Sequence, residues 1–166
     1  RFGNLGLAWG TDARAFSEIA LEYFKDSAAG GSIVDKDSEC QLNYVIVIGD
    51  GAMNNVADAE ERMAELRELG VKSLYVAYGG GITGVPLQKF HDMARIGSST
   101  ATTTAECDAD PECEKAIIAD TPTDLKTALT SKIRQIIADK LAFTAPSITA
   151  SIQEGGSIYQ AQFAYE

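Results

Sequence analysis

Blocks of apolar residues alternate with blocks of mixed polarity along this chain, and they predict strands and helices in turn. Tyr44–Ile48 is an unbroken apolar run rich in β-branched residues, which is typical of a central strand buried on both faces of a parallel sheet. Leu74–Tyr78 and Lys115–Ala119 predict two further strands. Because helical segments separate these runs, we expect three parallel neighbours in one open sheet with helices on both faces, an α/β fold.

The segments beside these runs have the three- and four-residue spacing of amphipathic helices. The first helix carries a predicted apolar stripe of Phe16, Ile19, Ala20, Tyr23 and Phe24. The second spans Ala57–Leu69, and its predicted inward positions are Val56, Ala59, Met63 and Leu66. The third begins at Pro86 and ends at Gly97, and its predicted core face is Leu87, Phe90 and Ala94. The last helix follows Thr121 and is predicted to bury Leu125, Leu129, Ile133, Ile136 and Ile137.

The two ends of the chain have a different character. Phe2–Trp9 is a weak, glycine-rich candidate strand. Ile148–Gln153 and Ser157–Tyr165 predict a β-hairpin across a Glu-Gly-Gly turn. We therefore expect one α/β domain over residues 1–141, incomplete at its N-terminus, and a linker with a hairpin over 142–166 that begins a following β domain.

Charge narrows the classes of partner. The 166 residues have a formal net charge of −10, which argues against binding to nucleic acid or to anionic membrane surfaces and is compatible with cation binding. No apolar run approaches the length of a membrane span. The chain has one histidine, His91, and shows no convincing acid–base pair, so we expect no catalysis.

The sharpest local signal is Gly49-Asp50-Gly51, directly after the Tyr44–Ile48 run. Two glycines permit a sharp turn and leave the Asp50 carboxylate at the carboxyl end of a strand, where ligands bind in open α/β sheets. Thr11 also follows a candidate strand and precedes a helix, so parallel strands would bring Thr11 and Asp50 to the same edge. The alternative is that Asp50 only caps a helix or shapes a turn.

Three cysteines are present. Cys107 and Cys113 bracket a short polar loop that could close as a disulfide in an oxidising compartment; the alternative is a thiolate metal site. Cys40 is left over and could pair with something outside this chain.

Two enzyme classes share part of the Gly-Asp-Gly signal. Gly49-x-Gly51 begins like a dinucleotide fingerprint, but the third glycine is absent. Val-Ile-Gly-Asp-Gly-Ala also resembles the metal-binding turn of thiamine-diphosphate enzymes, which have an Asn about one β-α unit later. A thiamine-diphosphate- or nucleotide-dependent enzyme that uses Asp50 is therefore the alternative function.

A wider resemblance covers most of the chain. The matching parts are Gly10-Thr11-Asp12 with its helix, Tyr44–Gly51, Leu74–Gly80 and Thr121–Ile137. Together they resemble a von Willebrand factor A domain, which implies a metal-ion-dependent adhesion site with Thr11 and Asp50 as ligands of Mg²⁺ or Ca²⁺. The family's first strand, which ends in Asp-x-Ser-x-Ser, is not found in this sequence, and Gly49 replaces the usual Thr or Ser. We therefore expect weak cation binding.

A narrower resemblance lies at the ends of the domain. Cys40-Gln41-x-Asn43 and the tail from Ala142 to Phe163 are similar to the PilC/PilY family of type IV pilus biogenesis proteins and tip adhesins. This resemblance implies an exported protein at a bacterial pilus tip, cell surface or periplasm. The implied partners are pilus subunits or minor pilins and a ligand on a host or other surface, and the implied function is non-catalytic adhesion.

Overall fold

The structure, a computed structural model, describes residues 11–25, 32–35 and 41–142. Within these ranges, short parallel strands and helices alternate along most of the chain. In chain order the elements are β1 (Thr11–Asp12), α1 (Ala13–Lys25), β2 (Asn43–Gly49), β3 (Met53–Asn54), α2 (Val56–Glu68), β4 (Val71–Tyr78), α3 (Gly84–Ile96), α4 (Thr104–Ala109), β5 (Ile117–Ala119) and α5 (Pro122–Ala142). This alternation confirms the predicted α/β class. The candidate strand Phe2–Trp9 and the hairpin predicted after residue 142 lie outside the described residues.

The three predicted strands are neighbours in one parallel sheet. The strand order is β2-β4-β5; Ile46 lies opposite Leu74, and Val76 lies opposite Ile117. A separate two-residue ladder joins β1 to β3, also in parallel. The parallel arrangement confirms the prediction made from the alternating pattern.

The buried strand at the centre of this sheet is β4, and the prediction that Tyr44–Ile48 is central was wrong for the described part of the chain. Val71 and residues 73–77 are buried, whereas Ile46 is 43% and Ile48 49% exposed. Among the described residues, β2 has a partner strand on one side only. A run of β-branched residues indicates a strand, but it does not encode how many neighbours that strand has.

Helices lie on both faces of the sheet, as predicted. On one face, Tyr75 of β4 packs against Phe16 of α1 and Phe90 of α3, each at 6.5 Å between ring centroids. The Ser73 hydroxyl on the same face lies 3.1 Å from the sulfur of Met63 in α2. Alternate residues of a strand point to opposite faces, and on the other face α5 lies over Leu74, with which Ile136 shares a cavity lining.

The core faces of the middle helices were predicted correctly. In α2, Ala59, Met63 and Leu66 are fully buried, and in α3, Phe90 and Ala94 are fully buried. These helices lie directly on β4, so their apolar positions face the sheet.

The predicted burial of the outer helices was partly wrong. In α1, Ile19 and Tyr23 are 61% and 63% exposed, because the buried positions are Ala13, Ser17 and Phe24, a narrower stripe than the one predicted. In α5, none of the five predicted core residues is fully buried, because this helix covers only part of its face of the sheet. No described helix is long and apolar enough to cross a membrane.

The Cys107–Cys113 pair closes a loop beside the amino end of the sheet. The structure joins these cysteines as a disulfide with their Cα atoms 5.2 Å apart, in agreement with the disulfide prediction. Within the loop, Glu112 pairs with Lys72 of β4, and Asp110 accepts a hydrogen bond from Ser99. The predicted spare cysteine, Cys40, lies outside the described residues.

Gly97, directly after α3, should be a sensitive position for stability. A Cβ there would lie 2.6 Å from Cβ of the fully buried Ser73, although the Gly97 backbone, at φ −78° and ψ −3°, is one that alanine adopts. We expect Gly97→Ala to lower the free energy of unfolding by about 1–3 kcal/mol through overpacking, measured by urea denaturation. Gly81→Ala, where no atom lies within 4 Å of the added Cβ, is the matched control; equal losses at both positions would contradict the prediction.

The disulfide should stabilise the fold measurably. In a Cys40→Ser background, reduction of Cys107–Cys113 should lower the free energy of unfolding by about 2 kcal/mol, from loop-closure entropy. Urea unfolding with and without a reductant measures this change. A Cys107→Ser/Cys113→Ser variant should have the same free energy of unfolding as the reduced protein, and a reductant should not change it. Two free thiols in the mass spectrum of the oxidised protein would show that the pair does not form.

Candidate functional site

The predicted ligand Asp50 lies in the bend that follows β2. The side chain is exposed, and Gly49, the last residue of β2, lies opposite Ala77 near the end of β4. The structure therefore places the Asp50 backbone at the carboxyl end of the sheet, as the sequence predicts.

The packing of the core beneath position 49 leaves room only for glycine. A Cβ at this position would lie 2.9 Å from Cζ and 3.2 Å from Cε1 of Phe90, a fully buried ring. A Thr or Ser at position 49 would therefore collide with Phe90 unless the ring moved. The hydroxyl that the adhesion-site resemblance expects before the Asp has no room in this packing.

Thr11 lies at the same end of the sheet. It forms the start of the β1–β3 ladder, opposite Met53, four residues after Gly49. Thr11 and Gly49 also line one open cavity of about 270 Å³, which follows β2 from Val45 onward. The structure thus brings Thr11 to the loop that carries Asp50, and not to the opposite edge.

The sequence analysis missed a contact that ties these loops together. The Asn55 amide donates a hydrogen bond of 3.0 Å to Oδ1 of Asp12, and the backbone N–H of Arg14 donates one of 3.1 Å to the same oxygen. The Asn55 hydrogen bond is the largest cause that lowers the pKa of Asp12 below its ordinary value, and the Arg14 N–H adds to it. Asp12 thereby caps the amino end of α1.

Asn55 itself adopts the left-handed conformation, with φ 53° and ψ 39°. Asparagine tolerates this region better than most residues. The Asn54-Asn55 pair, which follows Gly49-Asp50-Gly51 after two intervening residues, was therefore a readable turn signal. The hydrogen-bond partner of Asn55, Asp12, lies 43 residues earlier and could not be predicted from the local pattern.

A third carboxylate, Asp120, lies at this edge after β5. Its carboxyl group lies 3.8–3.9 Å from the position of a Cβ built on Gly80, in the glycine-rich exit of β4. The Gly79 N–H donates a hydrogen bond of 2.8 Å to the Ala119 carbonyl and joins the two exits. Since β4 lies between β2 and β5, strand spacing puts Asp120 about 10 Å from Asp50 across the sheet.

These groups form an oxygen-rich edge with a sparse ligand set for a metal. The oxygens suited to a hard divalent cation are the Asp50 carboxylate and the Thr11 hydroxyl, because Asp12 is already engaged by Asn55. The described part of the chain contains no group of three or more His, Cys, Asp or Glu residues arranged for a metal. A cation bound here would therefore keep most of its water ligands.

The lone histidine lies away from this edge. His91 is half-buried on α3 and lines a cavity of about 280 Å³ with Arg95, Cys107 and Lys115. Arg95 pairs with Asp92 at 3.3 Å, and Lys115 pairs with Asp108.

Comparison with known proteins gives no guide to identity: no protein-family model, curated protein or solved structure matches this sequence.

The Asp12–Asn55 contact predicts a specific change in titration. Asn55→Gly keeps a residue that accepts positive φ but removes the amide, so the pKa of Asp12 should rise toward the ordinary aspartate value of about 3.9. NMR titration of the carboxyl carbons measures this pKa. Glu106, whose pKa is lowered mainly by hydrogen bonds from Thr102, is an internal control and should titrate as before.

The direction in which stability changes with pH follows from the linkage between proton binding and folding. A lowered pKa in the folded state means that Asp12 stabilises the fold above its unfolded pKa and loses this contribution as pH falls through the folded value. The protein loses stability below about pH 4 in part because Asp12 becomes protonated. Asn55→Gly should therefore make this part of the loss smaller. An unchanged Asp12 titration in Asn55→Gly would contradict the role of the amide.

Proposed function

We propose that this chain is a non-catalytic binding domain of the von Willebrand factor A type, from an exported PilC/PilY-like protein of type IV pili. The observation that carries the proposal is the shared position of Thr11 and the Gly49-Asp50 turn at the carboxyl end of a parallel sheet. This edge is where open α/β folds bind ligands. Its binding surface is the divalent-cation-dependent adhesion site of the family in a reduced form.

The chemistry of this edge favours binding through a cation. A hydroxyl and a carboxylate are ligands for Mg²⁺ or Ca²⁺, and the net charge of −10 attracts cations to the surface. A hydrated cation held by Asp50 and Thr11 would present exchangeable positions to an oxygen ligand of a partner. Pilus subunits, minor pilins and surface ligands of a host are the partners in this proposal.

The disulfide supports the proposal that this domain is exported to an oxidising compartment. Cys107–Cys113 is formed in the structure, and disulfides persist in oxidising compartments such as the periplasm and the cell surface. An exported domain on a pilus tip or cell surface is consistent with such a bond, and the bond strengthens a loop that anchors to β4 through Lys72.

A cation titration tests the proposal. We expect Mn²⁺, followed by water-proton relaxation, to bind with a Kd of about 0.1–1 mM, as in weak extracellular sites, and Mg²⁺ or Ca²⁺ to compete. Asp50→Ala and Thr11→Ala should each weaken binding about tenfold, which corresponds to about 1.4 kcal/mol.

Glu68→Ala is the matched control. Glu68 is an exposed acid at the end of α2, about 20 Å from the start of that helix near the carboxyl edge. Equal weakening by Glu68→Ala and Asp50→Ala would mean non-specific attraction and would overturn the site. Calorimetry with thiamine diphosphate and Mg²⁺ distinguishes the adhesion domain from the alternative, a thiamine-diphosphate enzyme. A saturable binding heat that disappears in Asp50→Ala would favour the enzyme.

A further inference from the structure

The bend after β2 joins an aspartate to a glycine, a pair that occurs nowhere else in the sequence. No other aspartate, and no asparagine, of the chain precedes a glycine. The Asp50 side chain is exposed and accepts no hydrogen bond from the described residues. The backbone N–H of Gly51 likewise donates no hydrogen bond within the described ranges. The carboxyl group and the N–H that follows it are therefore both available for reaction with each other.

Packing does not restrain the backbone at Gly51. A Cβ built on this residue has no atom within 4 Å, and its φ is not positive. Gly49, two residues earlier, is the opposite case, because the ring of Phe90 lies beneath it. No contact with the rest of the fold therefore opposes the backbone rotation, easy for glycine, that brings the nitrogen of Gly51 to the carboxyl carbon of Asp50.

Two neighbouring aspartates lack this freedom. Asp58 lies in the first turn of α2, and the next residue, Ala59, is fully buried and donates its N–H to the Asn55 carbonyl at 3.3 Å. Asp12 accepts a hydrogen bond from the side chain of Asn55, and the next residue, Ala13, is fully buried in α1. In both cases helical structure holds the following N–H away from the carboxyl carbon.

An aspartate and the nitrogen that follows it can close a five-membered ring. In the carboxylic acid form of Asp50, the nitrogen of Gly51 bonds to Cγ, and the carboxyl OH leaves with the amide proton as water. Hydrolysis of this succinimide at Cγ restores aspartate. Hydrolysis at the backbone carbonyl carbon breaks its bond to nitrogen and gives isoaspartate, whose main chain runs through Cγ. The sequence of steps needs only water.

We propose that Asp50 is a site of spontaneous isoaspartate formation in the folded protein. The conversion adds one carbon atom to the main chain and replaces the side-chain carboxylate with one attached directly to Cα. The chain is held on both sides of this point, by Gly49 over Phe90 and by the buried Met53, so the bend between them must absorb the extra length. Loss of cation binding is a consequence that rests on the proposed function, whereas the modification itself does not.

Incubation of the whole protein in EDTA tests the proposal with no cation bound. The protein is kept for weeks at physiological temperature and neutral pH. Endoproteinase Asp-N cuts before aspartate but not before isoaspartate, and residues 37–62 form one tryptic peptide that contains Asp50 and Asp58. We expect resistance to cleavage before Asp50 to accumulate about tenfold faster than resistance before Asp58, because glycine follows only Asp50. Mass spectrometry of the digest measures both, with an unincubated sample as the control.

Gly51→Ala is the matched variant. The added Cβ has room, so the fold should be kept, but the Cβ restricts backbone rotation and should slow the accumulation about tenfold. Circular dichroism checks the fold. If this variant does not fold, Asp50→Glu keeps a carboxylate but needs a six-membered ring, and it should lose the methylation of position 50 by protein isoaspartate methyltransferase. Complete cleavage before Asp50 after incubation, equal resistance at Asp50 and Asp58, an unchanged rate in Gly51→Ala or persistent methylation in Asp50→Glu would refute the proposal.

Discussion

The position of every described feature at the carboxyl edge depends on the packing of Tyr75 in β4. Its ring lies between Phe16 and Phe90 and joins α1 and α3 to the central strand. Burial raises the pKa of Tyr75 far above its ordinary value, and its hydroxyl is the one buried side-chain oxygen or nitrogen without a hydrogen-bond partner among the described residues. An unsatisfied hydroxyl costs stability, so the aromatic contacts of this ring must offset that cost.

The same packing reaches the candidate site through Phe90. This ring lies against Tyr75 on one side and beneath Gly49 on the other, so the turn that presents Asp50 rests on the core. The adjoining loops are fixed by polar contacts, with Asn55 on Asp12 and Gly79 on Ala119. The loops at the carboxyl edge are therefore held in position by the core beneath them and by hydrogen bonds between them. A residue larger than glycine at position 49 would displace Phe90 in the core and the turn that carries Asp50.

Periodicity was enough to predict the elements that lie directly on the central strand. Met63, Leu66 and Phe90 were identified by spacing because a helix that packs on a buried strand must turn its apolar stripe toward it. Helix α4 was not predicted from the sequence, although Thr103 and Glu106 form a capping box whose Thr-x-x-Glu pattern is readable in the sequence.

The order of strands could not be predicted in the same way. Whether Tyr44–Ile48 is central or outermost depends on which other segments pair with it, and no residue within the run carries that information. The Asp12–Asn55 contact was hidden for a similar reason, since it joins residues far apart in the chain. Thr11 and Asp50 were predicted to lie at one edge because parallel topology brings the ends of strands together; in the structure Thr11 lines a cavity with Gly49, the residue before Asp50.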